Sequence, residues 1–598
     1  MGAFFLAMTR SGAPPSIAPG ARTAIARCLQ DRSPSPVQTE EADGVLHLRC
    51  GRDAFSRVSD GVLVLADGRP VIAGSGASAM PAIVREVARG AMPDLSMVDG
   101  SFALCCVRGD RGDATLIRDR FGSRPLVWHD QGDCFFAASE VSMLIAAGIT
   151  ASVDPTVLPE ALRYRWVLGA SHLLSPFHQV PAAHLTRVAP DGIVETRRYW
   201  SIPFVPEQNS PGALDRFVDH THDAMRRAVL ELASHGERVA ILLSGGVDSS
   251  IIAAVAQEVV PGCKAYVGRL PDGLNNEMER ATQVAAHLGM ECRIVDVVAP
   301  DGEEAVRRMV ERLGELPRHP NNLVLEQLYA RIGGDADIVL HGDGAEMMFG
   351  LADARVVESF RRKQRYLRRV PWLLRRAAAR QLDPLPWGRA ARLARVLAAD
   401  PVTFAATLDR IGYTVPVART LPAATSSRDE PFLPFHHFDE FKSFDDALQA
   451  YQADTTLIAS LVRHDRLAQS HGLVAFSPFL SGAMIDVACR VPRELRYTEF
   501  SKPVLRALCD RYFPPHVARW PKMGFEVPWH AWLARLDLSG LTRRAGARLL
   551  PPGFLCEALR ARDVEALWSA LVLALLVESH GVHVSGEDSI DSSSAIVR

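Results

Sequence analysis

Val239-Ala-Ile-Leu-Leu-Ser-Gly-Gly-Val-Asp-Ser-Ser250 decides the fold: five apolar residues break abruptly into two glycines, an aspartate and three hydroxyls. The apolar run predicts a buried central strand, and Ile251-Ile-Ala-Ala-Val-Ala-Gln257 predicts a helix packed back onto it. Between them, Ser244-Gly245-Gly246 lets the backbone approach an anion closely, while the first amides of the helix present unsatisfied N–H groups and positive partial charge. Phosphate is the expected guest. No Gly-Lys-Ser/Thr follows the glycines, so this is not a Walker A loop, and a kinase or GTPase reading fails. The plainer alternative is an ordinary strand-to-helix turn capped by serine. The conjunction of strand, glycine pair, acid and cap argues against it.

Downstream the pattern repeats. Cys263 to Gly268 reads as a strand, Glu279 to Leu288 as a helix, and Cys292 to Val298 as a further strand. Asp337-Ile-Val-Leu-His341 is another strand and ends in Gly342-Asp-Gly-Ala-Glu-Met-Met-Phe-Gly350. Strands alternating with helices predict a doubly wound parallel sheet whose ligand lies at the carboxyl ends of the strands. Oxygen ligands suit Mg²⁺, which is held by one or two carboxylates plus phosphates, so Asp248 and Glu346 make a sensible pair; a solvated acidic loop is the alternative.

The chain has 598 residues, too many for one core, and units of about 150 residues suggest two to four domains. A net charge of -2 gives no electrostatic reason for nucleic-acid or membrane binding, and no uninterrupted run of about 18 apolar residues occurs. Ten cysteines without Cys-x-x-Cys pairs indicate neither zinc nor a disulfide framework. Gly2 to Met8 is apolar but lacks a basic leader and a clear cleavage site. The expectation is a soluble, cytoplasmic protein with small or peptidic partners.

As far as Trp200, short apolar runs separated by Gly, Asp and Pro predict a β-rich, largely antiparallel domain, with strands at Val62–Ala66, Phe102–Val107, Ala114–Ile117 and Phe135–Ala138. Asp99-Gly-Ser-Phe-Ala103, Ile117-Arg-Asp-Arg-Phe-Gly-Ser-Arg-Pro-Leu126 and Phe136-Ala-Ala-Ser-Glu140 resemble, in order and spacing, the glutaminase domain of asparagine synthetases. That resemblance implies an Ntn-type β-sandwich with helices. Those glutaminases attack glutamine with an amino-terminal cysteine, but position 2 here is Gly2, which has no nucleophile. No Arg-Gly-Pro-Asp or Asn-Gly-Glu glutamine-binding segment is found either. The domain is therefore expected to keep the fold without the chemistry, with Arg118, Asp119 and Arg120 as structural ion-pair residues. Cys28 is a displaced nucleophile only if the true start lies downstream, and its surroundings read as an ordinary helix.

The domains expected are 1–203, a degenerate glutaminase-like domain; 204–213, a Pro- and Gly-rich linker; 214–584, the synthetase-like domain; and 585–598, a disordered Ser- and Asp-rich tail. The loop at Ser244 resembles the Ser-Gly-Gly-x-Asp-Ser pyrophosphate loop of the ATP pyrophosphatase family. The resemblance implies ATP contacts from Leu242, Ser244, Gly245, Gly246, Asp248, Ser249, Ser250 and Gly342, an adenine wall at Val267, and Mg²⁺ on Asp248 and Glu346. Asparagine synthetases also carry a lysine before a small residue and Gly-Phe that reaches the α-phosphate and the developing oxyanion; Lys522 of Lys522-Met-Gly-Phe525 occupies that place. Arg463 to Pro492 is similar to the helical region that closes their site. Between Arg355 and Arg395 thirteen basic residues face two acids, a solvated helical face or a dock for an acidic partner.

Adenylation gives a carboxylate a good leaving group, and an amine then forms an amide. With the glutaminase dead, the amine must arrive with a substrate. β-Lactam synthetases, carbapenam synthetases and lasso-peptide macrolactam cyclases share such an architecture. The β-lactam enzymes carry a tyrosine where Asp343 stands. The acid, the Gly-Asp-Gly loop and the basic insertion look more like a lasso cyclase. That resemblance implies a leader-free core peptide as substrate, a leader peptidase or precursor-recognition protein as partner, and Asp343 orienting or deprotonating the amine. A β-lactam-type synthetase, an ammonia-dependent asparagine synthetase and an inert binding scaffold remain as alternatives.

Overall fold

The computed structural model describes residues 2–351 and 412–582, except 52, 74–75, 110, 234–235, 271–276, 301, 422–436, 442, 497–500, 521–526, 534, 536–539 and 541–548, together with 370, 371 and 374. Lys522, nearly all of the basic segment 355–395 and the tail 585–598 lie outside the described residues.

Two six-stranded antiparallel sheets face each other in the first domain. The strand at the centre of one of them is Gly2–Thr9, paired with Val45–Gly51 on one side and Cys134–Ala138 on the other. Phe4, Leu6 and Met8 point into the sandwich core with Leu65, Cys105 and Leu116, while Phe5 and Ala7 join the cluster on the opposite face. A strand buried on both faces has no polar alternation, so its sequence shows only an apolar run without a strand signature. The predicted strands appear as Val62–Gly68, Phe102–Arg108, Asp113–Arg118 and Cys134–Ala138. Residues 203–212 form a strap fastened to the synthetase half, with the Val205 and Glu207 amides donating to the carbonyls of Cys489 and Arg490.

The ion-pair expectation for Arg118 and Asp119 is corrected. Arg118 donates to the backbone carbonyls of Arg124, Val180 and Gly122 at 2.7–2.9 Å. Asp119 accepts from the amides of Phe121, Ser123 and Arg124. Both groups satisfy the orphaned backbone of a buried turn, which costs free energy if left unpaired. Arg120 lies 3.7 Å from Asp99. Cys28 sits in an ordinary helix, Pro19–Arg32, as expected.

The second half is built on a five-stranded, all-parallel sheet of β1 (Val239–Leu242), β2 (Lys264–Arg269), β3 (Cys292–Asp296), β4 (Ile338–Leu340) and β5 (Val474–Phe476), in the order β3-β2-β1-β4-β5. Helix α1 (Ala213–Leu232) precedes it; α2 (Val247–Val259), α3 (Glu277–His287) and α4 (Asn322–Ile332) connect its strands. A π-turn, Ala453–Leu457, leads into α5 (Ile458–Gln469), which precedes β5, and α6 (Pro503–Tyr512) follows it. The chain leaves β1 toward β2 on one side and returns through β4 on the other. The crevice between the β1 and β4 loops is therefore the topological switch point where such sheets bind ligands. The fold is thus mixed α/β, a sheet-rich sandwich joined to a doubly wound sheet. One apolar cluster runs from Phe5 and Leu144 of the sandwich to Val324 and Leu571 of the second half, so the two share a core. No helix among the described residues is long and apolar enough to cross a membrane.

Candidate active site

The loop after β1 is held by its own hydroxyls. Ser244 Oγ and Ser249 Oγ lie 3.0 Å apart, the Ser244 amide donates to Ser249 Oγ, and the Gly246 amide donates to Ser244 Oγ. Gly245 has φ +73, and a Cβ there would meet the Cβ of Arg280 at 2.4 Å, because α3 packs directly on the loop. Glycine is needed at that position for both reasons. Gly342 lets the β4 loop approach the start of α2: a Cβ would lie 3.3 Å from Asp248 Cβ.

These loops wall a cleft of about 400 Å³. Leu242, Ser244, Asp248 and Ser249 line it from the first loop, Val267 from β2, and Gly342, Asp343 and Glu346 from the β4 loop. Gly245 and Gly246 shape the loop without lining the cleft. Ser250 turns away, its hydroxyl buried without a hydrogen-bond partner. A cleft walled by hydroxyls and carboxylates suits a nucleotide triphosphate with its metal.

Lys502 joins this site from outside any of the motifs. Its Nζ donates to both carboxylate oxygens of Asp248, at 2.9 and 2.7 Å, and lies 3.9 Å from Glu346. The residue is buried, and it adopts a left-handed backbone (φ +58) just before α6. Strain of that kind in a non-glycine residue collects at functional sites. The only local signal is a lysine preceding a proline at the start of a helix. Asp248 and Glu346 thus converge on one cation, and the donor set fits Mg²⁺ bound together with phosphates.

Beyond Glu346 lies a second polar group. Asp343 accepts from the hydroxyl of Ser460 and from His464 Nε2 at 3.2 Å, with Arg463 at 3.5 Å. Burial raises this carboxyl, but His464 and Arg463 outweigh it and hold Asp343 well below the usual carboxylate range. Tyr329 Oη lies 2.5 Å from His464 Nδ1. A neutral His464 satisfies both neighbours, accepting the phenol proton at Nδ1 and donating Nε2–H to Asp343. Burial pushes His464 below its ordinary value, which agrees with that neutral form.

Helix α5 ties this cleft to the first domain. Arg463 and His464 face Asp343, while Asp465 pairs with Arg124 at 3.1 Å and Arg466 with Glu140 at 2.9 Å. Sharing Asn321, Thr456, Ser460 and Arg463 with the main cleft, a second pocket of about 230 Å³ continues toward Trp166 of the first domain.

A parallel sheet, an anion loop at its switch point and a carboxylate pair beside it define a nucleotide-activating enzyme. The family model described as asparagine synthase matches residues 220–589, more than half of the chain, and one described as a glutamine amidotransferase domain matches residues 78–200. The chain belongs to the asparagine synthase family, whose members are ATP-dependent amide-forming ligases. It is 26% identical over 441 residues to the glutamine-hydrolysing asparagine synthetase 1 of Bacillus subtilis, a match covering 70% of this chain and 66% of that one. It is 25% identical over 284 residues to carboxyethyl-arginine beta-lactam-synthase of Streptomyces clavuligerus, covering 45% of this chain and 50% of the relative. Among solved structures, the glutamine phosphoribosylpyrophosphate amidotransferase from B. subtilis aligns at 12% identity over 57% of this chain and 75% of its own, with a TM-score of 0.21.

Proposed function

We propose that the chain is an ATP-dependent amide ligase that adenylates a carboxylate and joins it to an amine carried on the same substrate, and that its substrate is a leader-free peptide closed into a lasso macrolactam. The observation that carries this reading is the continuation of the cleft past Asp343 to Trp166. An asparagine-sized substrate has no use for that space, whereas a folded peptide needs a mould. Intramolecular closure gains on the order of 7–11 kcal/mol from orientation, provided the chain is held in its reactive shape.

The first domain supports an amine that comes with the substrate rather than from glutamine. A Cβ on Gly2 would lie 2.3 Å from the Ala54 amide nitrogen, so this end of the strand has no room for a side chain. Burial raises the thiols of Cys28 and Cys50, pushes Cys134 up to about 11 and Cys106 up to about 12, so none of them is a ready thiolate at neutral pH.

In this mechanism the Ser244–Ser249 loop and the amides opening α2 hold the triphosphate, with Lys502 beside its pyrophosphate end. Mg²⁺ bound by Asp248 and Glu346 would offset the pyrophosphate charge. Lys522 is expected to meet the α-phosphate and the tetrahedral oxygen, where a pre-placed cation is worth several kcal/mol. A leader peptidase or precursor-recognition protein would deliver the peptide.

Incubating the protein with ATP, Mg²⁺ and peptides that carry a free N-terminus and an internal Asp or Glu tests the proposal. The expected result is AMP, pyrophosphate and a peptide lighter by one water. Turnover of a small β-amino acid instead would favour a β-lactam-type synthetase, the reading suggested by the Streptomyces relative. Asparagine made from aspartate and ammonia would favour a plain synthetase.

A further inference from the structure

The cleft contains an imidazole that the adenylating groups do not use. His341 follows β4, lines the cleft and lies flat on the ring of His464, with centroids 4.0 Å apart and planes 10° from parallel. The two rings are engaged very differently. His464 is bonded at both nitrogens, to Tyr329 and to Asp343. His341 Nδ1 is buried with no hydrogen-bond partner, which leaves Nε2 as the nitrogen open to the cleft. A buried polar atom left unpaired costs free energy, so its retention asks for a use.

A metal is the first use to consider, since His341, Asp343 and His464 offer ligand atoms within 4.8 Å of one another. The ring geometry opposes it. An imidazole lone pair lies in the plane of its ring, and two rings stacked face to face direct theirs along parallel planes. Those planes do not meet at a bond length of about 2.0–2.1 Å from both nitrogens. Arg463, 3.5 Å from Asp343, adds a repelling charge. The trio is therefore arranged for protons rather than for a cation.

We propose that His341 is the general base that takes the proton from the substrate amine as it attacks the acyl-adenylate. This inference rests on the amide-forming reading above. In the step the amine nitrogen bonds to the acyl carbon, the acyl–oxygen bond to AMP breaks with its electron pair leaving on the phosphate, and the N–H proton passes to His341 Nε2. The ring is prepared to receive it. Burial, with His464 and Arg463 beside it, holds His341 well below the ordinary imidazole range, while Asp343 pulls the other way. It therefore stands neutral, and the phosphate of the adenylate brings a negative charge that favours the imidazolium once formed. The charged and titratable groups around it are Asp343 on its own loop, His464 and Arg463 from α5, and Tyr329 from α4 behind His464. Asp343 is already engaged: Ser460, His464 and Arg463 all meet its Oδ2, and His464 and Arg463 hold it ionised.

The test compares wild type with His341→Gln in the presence of ATP, Mg²⁺ and an acceptor peptide, with and without hydroxylamine. Hydroxylamine is unprotonated at neutral pH and captures an adenylate without a base. The expected result is that amide formed per hydroxamate formed falls by about 10²–10⁴ at pH 7, the usual contribution of a general base, and recovers as rising pH deprotonates the amine. An equal loss of both products, or an unchanged ratio, overturns the proposal. Should His341→Gln melt early, His341→Asn is read the same way. If peptides give no AMP, the peptide reading fails, and the same ratio measured with aspartate and ammonia still decides the role of His341.

Discussion

Replacing Lys502 with methionine should change two measurements in opposite directions. Methionine keeps most of the buried stem and removes the ammonium that bridges Asp248 and Glu346. A charge-assisted hydrogen bond contributes about 1.5–3 kcal/mol, and each 1.4 kcal/mol is a factor of ten, so freeing Asp248 makes it available to another cation by roughly 10- to 150-fold. Without nucleotide, Mg²⁺ measured by titration calorimetry should therefore bind Lys502→Met more tightly than wild type. With nucleotide, losing one such preorganised charge beside the departing pyrophosphate should slow the adenylating step by about 10²–10³. Pyrophosphate release measures that step. Mg²⁺ binding that is unchanged or weaker would refute the idea that lysine and metal share these carboxylates. Unchanged pyrophosphate release would remove Lys502 from the site.

Asp248→Asn leaves one carboxylate for the metal, and the Mg²⁺ concentration needed for pyrophosphate release should rise about 10- to 100-fold, the effect of losing one charge-assisted partner. Gly245→Ala forces a Cβ against Arg280 at φ +73, and its melting temperature should fall by an amount corresponding to about 2–4 kcal/mol. His437 Nε2 donates to the Asp454 carboxylate at 2.7 Å in the π-turn under the cleft. Burial lowers this imidazole, but Asp454 and Glu440 outweigh it and raise it above 6.5. The raised value means that its stabilisation is fully present below pH 6.5 and is lost as pH rises through the folded value. His437→Gln should flatten that part of the stability–pH curve measured by denaturant unfolding.

The Ser244–Ser249 and Gly342–Glu346 loops could be read from the chain because each is a local event. A strand ends, glycines turn, a helix begins, and the anion-facing groups sit within a few residues of one another. Lys502 meets Asp248 across 254 positions, and Tyr329 meets His464 across 135. No spacing rule links residues so far apart, and only the order of the parallel sheet brings them together. The same holds for α5, whose Arg463-His464-Asp465-Arg466 run reads simply as helix. Successive side chains turn about 100° around the axis, which sends the first pair to Asp343 and the second to the sandwich. Local sequence thus determined that a phosphate loop and an acidic loop exist. Packing decided which cation sits between them and which imidazole faces the cleft, because those contacts come from long-range burial.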